Sequence, residues 1–328
     1  MKRWLLALLA AGATALAGFA YIHLAPPAAA ASLVQVTNFG NNPSGLQMYI
    51  YVPDNVVPNP PILVALHQCT GSGPEFYSST EFASLANQYG FIVVYPSVTR
   101  SGSCWDVSSS QALTRNGGSD PVGIMSMITY TEQHYGGNPN QVYVTGASSG
   151  AMMTNVMLGD YPDVFKAGAA FMGVPFGCFF TGTVDGWNSA CADGQISMTP
   201  QAWGNMVRNA DPGYSGLRPR VQLWHGTADT TLNYENFGEE IKQWTNVLGV
   251  SQTPSSTDTP QRQRRSASIQ TRQIRLMRCC VGFRPGLVCI PFTEVKGDAL
   301  HLQMEWTCGG LRARAFHPCH GRKSDWAA

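Results

Sequence analysis

Charged residues are scarce in this chain: Asp, Glu, Lys and Arg make up 12% of its 328 residues, about half of their usual share. The formal net charge is only +1, which argues against a nucleic-acid partner, because such partners require a basic surface. Beyond the N-terminus there is no second apolar run of membrane-spanning length. Low charge combined with many small polar residues is common in secreted proteins.

The N-terminus has the pattern of a signal peptide. Lys2 and Arg3 precede an apolar stretch at residues 4–17, and small-x-small sites follow at residues 15–17 and 28–31. This pattern predicts export, with residues 1–31 as the signal peptide and cleavage within residues 17–31. The alternative is a membrane anchor, which Pro-Pro at positions 26 and 27 and the small residues disfavour.

Cysteine usage agrees with an exported protein, whose thiols meet an oxidising environment. The body of the chain has an even set, Cys69, Cys104, Cys178 and Cys191. We expect local pairs, Cys69–Cys104 and Cys178–Cys191, although spacing alone does not fix connectivity. The five remaining cysteines lie after residue 278 and do not have the spacing of a zinc site, so no metal is predicted.

Strand and helix patterns alternate along residues 32–259. Continuous apolar runs such as "PILVALH" and "FIVVYP" are typical of strands buried on both faces. The alternation predicts one α/β domain with a mostly parallel sheet and helices on both faces. The predicted strands are 46–53, 61–67, 91–96, 141–145, 165–173 and 220–226, and the predicted helices are 78–90, 120–137, 151–162 and 236–249.

The stretch "QVYVTGASSGAMMTN" contains a Gly-x-Ser-x-Gly motif centred on Ser148. The motif alone is common, but here it follows a predicted buried strand and precedes a predicted helix, which is the order a nucleophile elbow needs. Ser148 is therefore the candidate nucleophile. The backbone N–H of Ser149, at the new helix N-terminus, is a candidate oxyanion donor. The alternative is an ordinary strand–helix loop in which a serine caps the helix.

A second oxyanion donor is predicted in "VALHQCTGS", where a buried strand ends in polar residues. Cys69, or a neighbour, can offer its backbone N–H there, and a disulfide from Cys69 would hold the loop rigid. His67 in this loop has two interpretations, a catalytic base or a residue that buttresses the loop. The second is favoured.

An acid and a base must follow the nucleophile in chain order. Asp229 in "VQLWHGTADTT" follows a strand, so it should share a sheet edge with Ser148; a solvated turn aspartate is the alternative. His225 lies too close to its strand to reach Ser148. The histidines after Asp229 are His301, His317 and His320, and His301 in "TEVKGDALHLQ" is the best candidate for the base.

Six blocks, in order, resemble one known family: "VALHQCTGS", "GSCWDVSS", "GGSDPVGIMSMI", "VYVTGASSGAMMTN", "FGCFFTGTVDGWNSACADGQI" and "LWHGTADTTLNYENFGEEIKQWTNVLG". They are similar to the secreted fungal acetylxylan esterases of carbohydrate esterase family 1, a group shared with polyhydroxybutyrate depolymerase-like esterases and some feruloyl esterases. The similarity runs from about residue 33 to residue 259.

The resemblance implies an α/β-hydrolase fold and a serine esterase that removes O-acetyl groups from xylan without a metal or organic cofactor. It implies Ser148 as nucleophile, Asp229 as acid, and oxyanion donors at Ser149 and the Cys69 loop. It also implies a monomer. Trp105 and Trp187 are expected to line the substrate cleft, because aromatic faces stack on sugar rings; simple packing is the alternative.

Residues 260–328 depart from the family. The tail holds 12 Lys and Arg residues against 4 Asp and Glu residues, whereas relatives carry a catalytic histidine in a Gly-x-x-His-like loop before a final helix. A shifted reading frame or a retained intron in the gene model would produce such a tail. Two alternatives to acetylxylan esterase activity follow: a feruloyl or polyhydroxybutyrate esterase of the same fold, or a carbohydrate-binding protein that lacks its catalytic histidine.

Overall fold

A seven-stranded sheet forms the core of the computed structural model, which describes residues 31–255 and the backbone of two short strands further on. The sheet order is β1-β2-β4-β3-β5-β6-β7. Strands β3 to β7 run parallel, and β1 and β2 join antiparallel at one edge. The strands are β1 Val34–Val36, β2 Gln47–Tyr51, β3 Ile62–Leu66, β4 Ile92–Ser97, β5 Val142–Ala147, β6 Phe165–Phe171 and β7 Arg220–Trp224.

Helices cover both faces of this sheet, which confirms the predicted α/β-hydrolase architecture. The helices are α1 Gly73–Ser79, α2 Phe82–Tyr89, α3 Asp120–Tyr135, α4 Ser149–Asp160, α5 Ser189–Ala192, α6 Pro200–Ala210 and α7 Glu235–Leu248. Alternate residues of β3 and β4 point to two separate apolar clusters. One cluster receives side chains from α3, α4, α6 and α7, and the other receives side chains from α1 and α2.

The predicted helix over residues 78–90 is wrong at residues 80 and 81, which interrupt it. Helix α1 ends at Ser79, and α2 begins only at Phe82. Thr80 lies between them in an extended conformation, and its hydroxyl donates to the carbonyl of Phe76 at 2.6 Å, which closes the last turn of α1. The Ser/Thr run therefore ends one helix instead of opening the next.

Several elements have no counterpart in the sequence prediction. Strand β1 is three residues long, α5 is four, and α6 lies within a polar stretch. In the tail, where no strand was predicted, β8 Val281–Phe283 pairs antiparallel with β9 Gly286–Val288. Within the part of the chain that the structure describes, no helix has the length and apolar character needed to cross a bilayer.

The register of the parallel strands brings their carboxyl ends level. Leu66 of β3 lies opposite Gly146 of β5, and Phe171 of β6 lies opposite both Ala147 and Trp224. The loops that follow β3, β5, β6 and β7 therefore leave the sheet at one edge, which is where parallel sheets bind ligands.

Candidate active site

Ser148 occupies a strained backbone position between β5 and α4. Its φ of 54° and ψ of −119° are uncommon for a residue with a side chain, and such conformations cost about 1–3 kcal/mol. The surrounding structure fixes the turn, since the Ser148 N–H donates to the carbonyl of Phe171 at 2.9 Å. The sequence motif predicted this sharp strand-to-helix turn.

Two glycines allow the turn to pack tightly. A Cβ on Gly150 would lie 2.2 Å from the Leu66 carbonyl oxygen, and one on Gly146 would lie 2.3 Å from the Gly150 carbonyl oxygen. Real Cβ atoms do not approach backbone oxygens so closely. The start of α4 therefore lies directly against the end of β3, where the candidate oxyanion loop begins.

The loop after β3 is fixed by a disulfide and by the buried His67. Cys69 is bonded to Cys104, and Cys178 is bonded to Cys191, which confirms both predicted pairs. His67 Nε2 accepts from the Val98 N–H at 3.1 Å, so Nδ1 carries the hydrogen that it donates to the Gln68 carbonyl at 2.6 Å.

Both nitrogens of His67 are therefore occupied, and burial lowers the pKa of its ring. His67 is neutral and buttresses the loop; it is not free to act as a base. Within residues 31–255, the backbone N–H groups of Cys69 and Ser149 have no hydrogen-bond acceptor. Unpaired N–H groups beside a serine on a turn can serve a developing oxyanion.

Asp229 lies in the loop after β7, and its carboxylate is well held. Oδ1 accepts from the N–H groups of Thr231 and Leu232, each at 2.9 Å. Oδ2 lies 3.5 Å from His225 Nε2. Burial opposes ionisation, but the hydrogen bonds from His225, Leu232 and Thr231 lower the pKa of Asp229. Asp229 is therefore an ionised, oriented carboxylate held by its own turn; its role as the acid stays a prediction.

Backbone and ring contacts connect the Ser148 turn to the end of β7. The Ser148 N–H bonds the Phe171 carbonyl, and the Met172 N–H bonds the Trp224 carbonyl at 2.7 Å. The rings of Phe171 and Trp224 stack with their centroids 5.9 Å apart. Ser148 and Asp229 thus follow two strands that flank β6, at the same sheet edge.

The two tryptophans predicted to line the cleft have different environments. Trp105 is 2% exposed, and its indole N–H donates to the His67 carbonyl at 2.8 Å. The prediction that Trp105 binds substrate is therefore wrong, because a sugar ring cannot stack on a buried indole. Trp187 is 55% exposed and packs edge-on against Phe179 at 5.1 Å. A substrate-binding role for Trp187 stays a prediction.

The predicted base, His301, lies outside the described residues, as do residues 1–30. The sequence prediction also missed Glu240, a carboxylate of α7 with no exposed surface. A signal for it exists in the helical spacing. Glu240 lies three residues after Phe237 and four before Trp244, so it falls on the buried face of α7.

The sheet order and the elbow at Ser148 define a protein of the α/β-hydrolase fold with the turn of a serine hydrolase. A family model described as "Esterase PHB depolymerase" matches residues 46–185. Acetylxylan esterase A of Aspergillus ficuum is 53% identical over 235 residues, which are 70% of this chain and 78% of that protein. Feruloyl esterase B of Talaromyces stipitatus is 52% identical over 240 residues, 72% of this chain and 67% of that protein.

A solved structure of an acetyl xylan esterase from Aspergillus awamori superposes with a TM-score of 0.68 at 51% identity, covering 70% of this chain and 84% of that one. The chain belongs to the fungal acetylxylan esterase group of carbohydrate esterase family 1 and is a carboxylic ester hydrolase.

Proposed function

We propose that the chain removes O-acetyl groups from xylan, with Ser148 as the nucleophile. The strained backbone of Ser148 at the end of β5 is the observation that carries this proposal, because an ordinary loop serine has no need of such a conformation. Relatives at about half identity that are named acetylxylan esterases support the substrate.

In the proposed reaction the Ser148 hydroxyl oxygen attacks the acetyl carbonyl while a histidine, His301 in this proposal, takes the serine proton. Asp229 orients that histidine and stabilises its charged form. The N–H groups of Cys69 and Ser149 bind the oxyanion of the tetrahedral intermediate. The sugar hydroxyl then leaves with the proton, and water attacks the acetyl-serine to release acetate and restore Ser148.

Acetate release from acetylated xylan tests this proposal. Ser148→Ala should lower the rate by about three orders of magnitude or more, because the acyl-enzyme cannot form. Ser84→Ala, an exposed serine on α2, is the matched control and should keep the wild-type rate. Equal rates for wild type and Ser148→Ala would refute the assignment.

A feruloyl ester is the second candidate substrate, because a relative at 52% identity is named feruloyl esterase B. One fold can carry either specificity, so kcat/KM should be compared side by side on acetyl, feruloyl and hydroxybutyrate esters. The proposal predicts the highest value for the acetyl ester. Binding of xylan with no turnover and no labelling by a serine-directed phosphonate would instead favour the non-catalytic alternative.

Export as a monomer is part of the same proposal. The N-terminal pattern of residues 1–31 and the two disulfides support export. N-terminal sequencing of protein recovered from culture medium should give a start between residues 18 and 32. Size-exclusion chromatography with light scattering should give the mass of one chain.

A further inference from the structure

Glu240 is a carboxylate buried beneath the candidate site, with 0% of its surface exposed. Its Oε1 accepts from Asn155 Nδ2 at 2.6 Å. A Cβ on Gly173 would lie 2.9 Å from the same oxygen, so the glycine after β6 leaves room for this carboxylate. Burying a carboxyl group is unfavourable unless it is paired. The second oxygen of Glu240 therefore needs a partner.

Glu240 Oε2 and His225 Nδ1 both belong to the buried side-chain atoms that have no hydrogen bond within the described residues. His225 Nε2 lies 2.8 Å from the Leu232 carbonyl, which can only accept, so Nε2 carries a hydrogen. Through a water, His225 Nδ1 can then accept a hydrogen bond when Glu240 is protonated or donate one when Glu240 is ionised. The two atoms do not contact each other directly, but in both cases one bridging water would satisfy both of them.

The charges of these groups also interact. Burial opposes a charge on the His225 ring, but Asp229 and Glu240 together raise the pKa of His225. Burial raises the pKa of Glu240 to about 7, against the opposing effects of His225 and Asn155. Asp229 lies 3.5 Å from the His225 ring, and the rings of Tyr234 and Phe237 lie 6.0 and 6.4 Å from it. Phe237 is three residues before Glu240 on α7, so the buried face of this helix that carries Glu240 packs against His225.

Glu240 also contacts the helix that carries the nucleophile. Asn155 belongs to α4, which begins directly after Ser148. Asn155 Nδ2 donates to the Val174 carbonyl at 2.9 Å, and its Oδ1 accepts from Trp244 Nε1 at 3.0 Å. Glu240 therefore lies between the helix of the nucleophile and the histidine that faces the acid.

We propose that Glu240 is a positioning residue for Asp229. A water that bridges Glu240 Oε2 and His225 Nδ1 fixes the His225 ring, whose Nε2–H faces Asp229 Oδ2. Glu240 does not touch substrate; it acts through His225. This inference rests on the proposed function, which assigns Asp229 as the acid. The interaction between Glu240 and His225 can be measured without enzyme activity.

The kinetic test uses an activated acetyl ester with two substitutions. Glu240→Leu removes the polar contact and should lower kcat about tenfold or more with little change in KM, as losses of supporting hydrogen bonds do. Glu240→Gln can still hydrogen-bond the bridging water and should restore kcat to within about threefold of wild type.

Glu239→Leu is the matched control on the same helix. Glu239 accepts from Trp203 Nε1 at 2.7 Å and pairs with Lys242 at 2.6 Å, away from His225. Its loss should reduce stability while kcat stays at the wild-type value. A folded Glu240→Leu enzyme with a kcat within twofold of wild type would overturn the inference.

The second readout is the titration of the His225 ring, followed by nitrogen-15 NMR and assigned with His225→Gln. The midpoint should fall in Glu240→Gln, because a buried negative charge near the ring is lost. An unchanged midpoint in the folded variant would overturn the inference even if Glu240→Leu does not fold. Wild-type protein that neither hydrolyses the ester nor reacts with a serine-directed phosphonate would refute the proposed function instead.

Discussion

At the scale of the residue, two kinds of donor orient the Asp229 carboxylate: backbone N–H groups bind Oδ1, and the His225 ring faces Oδ2. Asp229→Asn can keep the two backbone bonds at Oδ1. Its new amide would then face the Nε2–H of His225, which lies 3.5 Å from Oδ2 in the wild type. Two donors would oppose each other, and the catalytic histidine would lose its carboxylate. We expect kcat to fall about 10³- to 10⁴-fold.

Burst kinetics with an activated acetyl ester would measure this loss. Asp193→Asn is the control, because Asp193 is exposed at the end of α5, and it should behave as wild type. An Asp229→Asn enzyme with near-normal kcat and an intact fold would show that Asp229 is not the triad acid.

The contributions of Glu239 and Glu240 to the stability of the fold should change in opposite directions with pH. Burial raises the pKa of Glu240 from 4.5 to about 7, so Glu240 stays protonated to a higher pH in the folded state than in the unfolded state. The wild type therefore loses stability as pH rises from about 4.5 to 7. Glu240→Gln removes this loss, so its Tm relative to wild type should rise over that interval.

Glu239 provides the comparison with the opposite sign. Burial opposes its charge, but hydrogen bonds from Lys242, Trp203 and Ser197 lower the pKa of Glu239. Its contribution is present above the unfolded pKa and is lost as pH falls through the folded pKa. The Tm deficit of Glu239→Gln should therefore be larger at pH 7 than at pH 4. If the Tm difference from wild type had the same pH dependence in Glu239→Gln and Glu240→Gln, the pKa shifts of both residues would be contradicted.

At the scale of the element, the contact between α4 and β3 depends on Gly150. An added Cβ would lie 2.2 Å from the Leu66 carbonyl oxygen and 2.6 Å from that of His67. Gly150→Ala must therefore push α4 away from the loop that carries Cys69. We expect a loss of about 3 kcal/mol in the free energy of unfolding and a fall in kcat, since oxyanion donors act only at short range.

Gly238→Ala is the matched control in α7, where an added Cβ meets nothing within 4 Å. It should be neutral or stabilise the protein by up to about 1 kcal/mol. Urea unfolding and steady-state kinetics on both variants would separate the steric effect from a general effect of alanine. A Gly150→Ala protein as stable and active as Gly238→Ala would contradict the tight contact.

The elements that sequence predicts well are those with strong local patterns. Strands β4 and β5 are buried at every residue, so their apolar runs are continuous, and the elbow combines such a strand with two obligatory glycines. Short elements lack that signal. Strand β1 has only three residues. The break between α1 and α2 depends on the hydroxyl of Thr80, and threonine is also common at the start of helices, so its presence does not show whether a helix ends or begins.

At the scale of the whole molecule, chain order and parallel strands were enough to place Ser148 and Asp229 at one sheet edge. The supporting residues could not be located in this way. Asn155 and Glu240 are 85 positions apart, and only the packing of α4 against the sheet and α7 brings them together. Trp105 shows the same limit, because its residue type suggested sugar stacking while the disulfide-linked loop buries it.

At this scale, catalysis requires a base that follows Asp229 in the chain, and His301 is the candidate to test. If His301 is the base, His301→Ala in the full chain should lower kcat by about 10³-fold or more, and added imidazole should restore part of the rate. His317→Ala and His320→Ala are matched controls from the same tail and should keep the wild-type rate. If the tail instead comes from a shifted reading frame, the kcat of His301→Ala will equal that of the wild type, and imidazole will accelerate both proteins. The corrected reading frame after residue 259 will then encode a Gly-x-x-His segment, and substitution of its histidine will abolish activity.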